Sequence, residues 1–443
     1  MSFRNLLCLL LLTLIPASIS FAQSREEKVR SDRQKVLEDG FWIYNDLAKG
    51  FEQARQTGKP LVVVLRCIPC VACVKLDDEL VDQDPVIRPL LKEFVCVRIV
   101  STNGLDLSLF QYDTDQSFAV FMLNADGTIY GRFGTRSHRT DWYEDVSLTG
   151  LAKALQGALK LHQNYPSNKA ELSGKRGKPL EYASPEKYPS LKDKYRDSID
   201  FADSNVVKSC IHCHQIGDAR RDYYWSQGKK LPEDLLFPYP HPKSIGLILD
   251  PESKATVKEV TSNTPASKAG LRAGDEIVSL QNQPLLSIAD VQWVLDKANP
   301  EGDQLTAEVV RNGRPQKLTI ELQDGWRRNG DISWRVSTWQ LRRKYFGGMK
   351  LEELTSEERE QAKIPADQLA LRIQHVGKYP PHNFARRSGF KEGDIITSFD
   401  GTLDLLTETD LLIHGADNFK PAQMVSVTIL RNGNEIQKQL NLP

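Results

Sequence analysis

Ala269-Gly270-Leu271-Arg272-Ala273-Gly274-Asp275-Glu276-Ile277 is answered later in the chain by Ser388-Gly389-Phe390-Lys391-Glu392-Gly393-Asp394-Ile395-Ile396. About forty residues beyond each copy stands the same turn, Arg311-Asn312-Gly313 and Arg431-Asn432-Gly433, so the carboxy-terminal part is an internal repeat. The glycines have physical purposes. Gly270 and Gly389 suit a left-handed helix terminus, and Gly274 and Gly393 suit a tight turn into the next strand. Asn-Gly is the favoured pair for a two-residue type I′ hairpin. Helices are expected to start at Ser287 and Thr407, each with an Asp at its third helical position.

Working outward, the 443 residues carry 58 Lys plus Arg and 58 Asp plus Glu. A net charge of zero gives no reason to expect nucleic acid or a membrane surface as partner. The length allows about three domains of ordinary size. Residues 1–22 read as a signal peptide: Arg4 is followed by the apolar run Leu6 to Ile15, and small residues Ser20 and Ala22 precede the cleavage point. No later stretch approaches a membrane-spanning length, so the mature chain is expected to be soluble and periplasmic or otherwise exported. Cys8 lies inside the signal. Six cysteines remain in two separate groups: Cys67, Cys70, Cys73 and Cys96, then Cys210 and Cys213.

Residues 23–165 read as one α/β domain. Residues 33–57 have helical spacing, with Trp42, Leu47, Phe51 and Ala54 on one side, and end at Gly58-Lys59-Pro60. Leu61 to Leu65 is a buried central strand that runs into Arg66-Cys67-Ile68-Pro69-Cys70-Val71-Ala72-Cys73. Further strands are expected at 94–100, 118–123 and 128–133, the last two joined at Asn124-Ala125-Asp126-Gly127. Cys96, on a strand, reads as a buried apolar residue. Residues 166–200, rich in Lys, Pro, Ser and Glu, lack apolar periodicity and read as a polar linker. Residues 326–343 form a connector rich in Trp and Arg, and its aromatic content suits a packed interdomain segment.

Between linker and repeats, at 201–240, stands Cys210-Ile211-His212-Cys213-His214. This CxxCH spacing lets two thiols bond one haem while the histidine ligates iron, and in an exported chain it predicts haem c. Tyr223, Tyr224 and Trp225 are expected to cover a porphyrin face. His241 is a candidate sixth ligand, with Met122, Met349 or an open position as alternatives; a zinc site or a disulfide is the competing reading of the pentad.

The amino-terminal pattern of strand, cysteine pair at a helix start and terminal hairpin resembles the thioredoxin fold, and Gly58-Lys59-Pro60 with its valine run is similar to the thioredoxin-7 branch. The resemblance implies Cys70 as nucleophile and Cys73 as resolving thiol, with Cys67 an extra thiol. The family's proline position is held by Gln116-Ser117-Phe118 and its buried acid by Val64, so a structural disulfide, a metal site or inert thiols remain open. Both repeats, 241–325 and 344–443, resemble PDZ domains. That resemblance implies peptide binding at Ile245, Gly246 and Leu247 in one copy and at Gly347, Gly348 and Met349 in the other, where loop amides would meet a peptide carboxylate. A paired PDZ arrangement is similar to exported HtrA-type proteases, but no GNSGG or GxSxG element occurs, and the expectation is that the chain is not a protease.

The order as a whole resembles exported bacterial thioredoxin-7/PDZ proteins. The expected fold class is multidomain α/β and α+β: a thioredoxin-like fold, a short helical haem segment and two PDZ domains. The expected function is redox or electron transfer with haem c, a candidate thiol-disulfide oxidoreductase whose PDZ domains hold a client or a redox partner protein. The alternative is a non-enzymatic PDZ scaffold whose thioredoxin-like and haem parts are structural or sensory.

Overall fold

The structure is a computed structural model that describes residues 24–66, 84–116, 118–137 and 145–443. The expected signal peptide and Cys67, Cys70 and Cys73 lie outside these residues.

Ser24 starts helix α1 (Arg25–Asp39) with a capping box. Its hydroxyl accepts from the Glu27 amide, and the Glu27 carboxylate accepts from the Ser24 amide. The helix expected over 33–57 is broken. Gly40 ends α1 in the left-handed conformation (φ 66°), Trp42 falls in the connection, and α2 (Leu47–Thr57) restarts behind Asp46, whose carboxylate accepts from the Lys49 amide. Strands β1 (Ile43–Tyr44), β2 (Leu61–Arg66), β3 (Val95–Ile99), β4 (Phe118–Leu123) and β5 (Ile129–Phe133) form one sheet in the order β1-β3-β2-β4-β5. β2 lies parallel to β3 and antiparallel to β4, and all six of its residues are buried. That burial explains its unbroken apolar sequence. Val62, Val64, Met122 and Tyr130 face helix α3 (Leu148–Gln163), while Leu61, Val63, Leu65 and Phe121 face the opposite core.

Residues 166–200 are packed, which corrects the linker reading. Lys175, Tyr188 and Leu191 are buried there, and the Tyr188 hydroxyl donates to Glu181 at 2.7 Å. The apolar residues that anchor this segment are spaced without helix or strand period, because short turns carry them. Helix α4 (Cys213–Ser226) follows, with His212 at its N-cap.

The first repeat contains β6 (Leu247–Leu249), β7 (Val257–Val260), β8 (Glu276–Leu280), β9 (Gln283–Pro284), α5 (Ile288–Lys297), β10 (Asp303–Arg311) and β11 (Arg314–Leu322). A connector leads through α6 (Thr338–Phe346) to the second repeat: β12 (Met349–Glu353), β13 (Leu371–Val376), β14 (Ile395–Phe399), α7 (Glu408–Asn418), β15 (Met424–Arg431) and β16 (Asn434–Asn441). Ser287 and Thr407 cap α5 and α7 as expected. Gly270 and Gly389 have φ 82° and 81°, and both Asn-Gly turns have two positive φ values. One feature joins the two sequence signatures in each copy. Arg311 makes two bonds of 2.7 Å to the Asp275 carboxylate and one to the Gly270 carbonyl; Arg431 does the same with Asp394 and Gly389.

The connector 326–343 is packed as its composition suggested, with Trp326, Arg327, Arg335 and Arg342 buried. Arg335 reaches the amino-terminal module, donating to Asp113 at 2.7 and 2.9 Å and to Asp115 at 3.3 Å. Two buried carboxylates share this guanidinium, and the Ser337 amide and hydroxyl supply two further donors to Asp115. Burial pushes the Asp113 carboxyl up to about 6, against the attraction of Arg335.

Replacing Arg335 by Ala leaves both carboxylates buried without their cation and is expected to cost about 3–5 kcal/mol, read from urea unfolding. The raised Asp113 value carries a sign of its own. Its ordinary value is 3.8, so between pH 4 and pH 6 the native state binds more protons than the unfolded chain. This group therefore adds stability as pH falls through that window and loses it as pH rises. The stability difference between the parent and Asp113→Asn should shrink or reverse above pH 6; a difference independent of pH would contradict the assignment.

Candidate peptide-binding grooves and the buried thiols

In the second repeat, β12 is the edge strand of its sheet, and α7 lies beside it. An edge strand with an adjoining helix is the geometry for adding an extended peptide. Gly347 and Gly348 precede β12 with φ 66° and 86°. A Cβ at Gly348 would sit 2.1 Å from the His382 carbonyl oxygen, so only glycine fits. The expectation that these amides face a peptide carboxylate is not met. Both turn back to the Arg342 carbonyl and cap α6.

The strand edge itself is partly occupied. The Leu351 amide donates to Glu408 Oε1 at 2.8 Å, and the same carboxylate receives the Arg342 guanidinium, with Nε at 3.0 Å. Glu408 and Arg342 are both buried. Sequence reading missed this pair. Glu408 is the first residue of α7 and Arg342 lies in the connector, so no local spacing links them.

The first repeat differs: among the described residues β6 pairs with β7 in a separate two-stranded sheet. The Pro242–Ile245 turn ends at Gly246 (φ 77°), whose amide returns to the Pro242 and Lys243 carbonyls. Ile245 and Leu247 are buried beneath. Its helix α5 is packed into the amino-terminal module rather than left as an open wall. Asp290 accepts the Arg132 amide at 3.2 Å and faces Lys175 Nζ at 3.0 Å, while the Ser287 hydroxyl donates to the Arg132 carbonyl at 2.6 Å. These side chains satisfy the outer edge of β5. The Arg132 guanidinium stacks 3.8 Å from the Trp293 ring, and the Trp293 indole donates to the Gly174 carbonyl.

His241 enters a second cross-module contact. Its Nε2 lies 3.3 Å from Asp145, the Ser137 amide and hydroxyl donate to the same carboxylate at 2.7 Å, and Lys243 Nζ donates to Ser137 at 3.0 Å. The order of partners places the carboxylate, not the histidine, against the serine hydroxyl. Hydrogen bonds from His241 and Ser137 and the nearby Lys243 outweigh burial and hold the Asp145 carboxyl low, so it is a weak base there. The cluster works as an ionic tie beside a cavity of about 180 Å³.

The surroundings of the pentad bear on a covalent haem. Cys210 is buried among Val29, Val100 and Val206, with its Sγ 3.2 Å from the Val206 carbonyl. Cys213 is buried in a different cluster, with Phe110, Tyr112 and Phe121. The thiols thus occupy separate apolar sites, and a porphyrin bonded to both would displace both sets of side chains. His214 faces Asp218 at 3.5 Å, whereas the proposed opposite ligand His241 faces Asp145. Met122 and Met349 are core residues of β4 and β12. Tyr223 and Tyr224 pack on each other and on Tyr182 and Glu181. Among the described residues no His, Cys, Asp and Glu group is arranged to hold a metal ion. These residues do not fit haem c. Cys96 is buried on β3, as expected.

The family model described as Thioredoxin-like matches residues 42–125, and that described as PDZ domain matches residues 243–322. The chain therefore contains a thioredoxin-like domain and a PDZ domain. A probable periplasmic serine endoprotease DegP-like of Pseudomonas savastanoi pv. phaseolicola is 29% identical over 188 residues, 42% of this chain and 36% of that protein. The periplasmic serine endoprotease DegP of Escherichia coli K12 is 26% identical over 194 residues, 44% of this chain and 35% of that protein. The serine protease Do-like HtrB of Bacillus subtilis is 39% identical over 80 residues, 18% of each. The chain spans little more than a third of the length of the first two. The solved structure of HtrA-type protease AlgW with decapeptide aligns with 32% of this chain and 48% of its own, at 17% identity and a TM-score of 0.21.

These relatives correct four expectations. They are named serine endoproteases, which removes the support for a redox or electron-transfer function, for haem c and for a thiol-disulfide oxidoreductase, and equally for the statement that the chain is not a protease. No helix among the described residues is long and apolar enough to cross a membrane.

Burial pushes the Cys210 thiol up to about 11 and the Cys213 thiol upward as well. In the native protein at pH 8, iodoacetamide should modify Cys210 and Cys213 at least about tenfold more slowly than in urea, followed by peptide mass spectrometry. Equal rates in the two states would show that the thiols are open.

Proposed function

We propose that this protein is exported and binds extended segments of other exported polypeptides by strand addition to β12 and β6, as the recognition part of the kind of polypeptide processing for which its relatives are named. The observation that carries this reading is the Leu351 amide: an edge-strand donor in a groove, satisfied by a side-chain carboxylate where a second strand would supply a carbonyl. The second repeat, 344–443, is read as a second PDZ domain on the shared glycine conformations, Asn-Gly turns and Arg–Asp forks. Ile245, Gly246 and Leu247, and Gly347, Gly348 and Met349, lead into the two binding strands. Their role is to set the strands' entry, since the glycine amides are spent on helix caps.

A peptide carbonyl and the Glu408 carboxylate compete for one donor. Charge-assisted hydrogen bonds exceed neutral ones by about 1 kcal/mol, so the resting groove favours its own carboxylate and ligand affinity is modest. Hydrogen exchange of the full chain with and without a fluorescein-labelled eight-residue peptide ending in valine tests the reading. The expected result is saturable binding with added protection over 349–353. Absence of binding, or protection confined to regions away from 247–249 and 349–353, would refute it.

A further inference from the structure

Several arginines among the described residues are held in buried ion pairs, such as Arg327, Arg335 and Arg342, whereas one face of the second repeat gathers exposed cations. Lys378, Arg386, Arg387 and Lys391 are exposed, and none has an ion-pair partner among the described residues. Lys378, Arg386 and Lys391 rim an open depression of about 550 Å³ floored by Val376 and Phe390. Lys438 joins them, its Nζ 5.9 Å from the centre of the Phe390 ring. Of the nearby acids, Asp394 is gripped by Arg431, while Glu392 lines the same depression, 3.2 Å from His375, so three cations and one carboxylate border it. In a chain of zero net charge, this local excess of cations over carboxylates is a field for an anion.

We propose that this depression is a docking surface for an acidic, extended segment of a partner protein. Charge complementarity selects the sign of the partner, and shape selects its class. A concave hollow with cations on its rim receives a chain whose carboxylates reach outward to the rim, whereas a membrane surface requires the cations to share a plane. The aliphatic stems of Lys378, Arg386 and Lys391 add contact for the segment's backbone and aliphatic carbons. The surface lies outside the β12 groove and does not rest on the groove reading: Val376 pairs with Met349 across the sheet, and the rim residues come from the β13 end and the 386–391 turn.

The test uses the full chain and a fluorescein-labelled ten-residue peptide of alternating aspartate and serine, followed by anisotropy at about 0.02 M and about 0.3 M salt. Vesicles of phosphatidylglycerol form the second arm. The expected result is peptide binding that weakens with salt and falls at least about tenfold in K378E/R386E/K391E, with a smaller loss in K378Q/R386Q/K391Q. All three side chains are exposed, so both variants should keep the parent unfolding midpoint. Peptide binding unchanged in both variants, no peptide binding at low salt, or vesicle binding without peptide binding would each overturn the proposal. The valine-ended peptide should bind K378E/R386E/K391E as it binds the parent, which separates failure here from failure of the groove reading.

Discussion

Arg335 between Asp113 and Asp115 is the contact on which the arrangement of this molecule depends. A charge removed from water must meet its counter-charge within hydrogen-bond distance or stay unfolded, and this requirement acts on position far more sharply than apolar packing does. Buried cations are met by carboxylates or an aromatic face at other junctions as well. Lys175 meets Asp290, Arg132 meets the ring of Trp293, Arg327 meets Asp296 at 2.6 Å, and Arg342 meets Glu408. Each pair or stack brings together residues far apart in sequence, and Arg335–Asp113, Lys175–Asp290 and Arg132–Trp293 also cross a module boundary. Apolar surfaces alone could slide against one another; forked guanidinium contacts define one register.

That register decides the state of the grooves. Packing α5 against β5 uses Ser287 and Asp290 to finish an open sheet edge, and in doing so closes one side of the first repeat. In the second repeat, α6 lies against α7 so closely that a Cβ at Gly415 would come within 2.6 Å of the Tyr345 side chain. The connector that brings Arg335 to the amino-terminal module also delivers Arg342 to Glu408. Exposure of the β12 edge and interdomain contact are therefore coupled through one stretch of chain.

The repeats were legible because their signals are local. Gly270, Gly274, Asn312 and Gly313 require backbone conformations that few other residues adopt, and the spacing between them survives in both copies. Strands β2 to β5 were legible from apolar runs and the Asn124–Gly127 turn, whereas β1 (Ile43–Tyr44) falls inside the helical spacing of 33–57. Residues 166–200 were not, because Tyr188 and Leu191 are held by turns and by partners distant in sequence. The break at Gly40 was hidden by helical spacing that continues across it. The pentad misled for a related reason: CxxCH spacing is a statement about local reach, whereas the burial of Cys210 and Cys213 in two separate apolar clusters is a tertiary fact. Glu408 and Arg342 lacked any local pattern at all.

If buried charges hold the modules in one register, the folded chain should melt as a unit. Differential scanning calorimetry of the full-length protein at pH 7 is the most direct measurement. The account predicts one transition whose van't Hoff enthalpy equals the calorimetric enthalpy. Separate transitions for the amino-terminal module and the repeats would contradict it, since the junction ion pairs would then contribute nothing to holding the modules together.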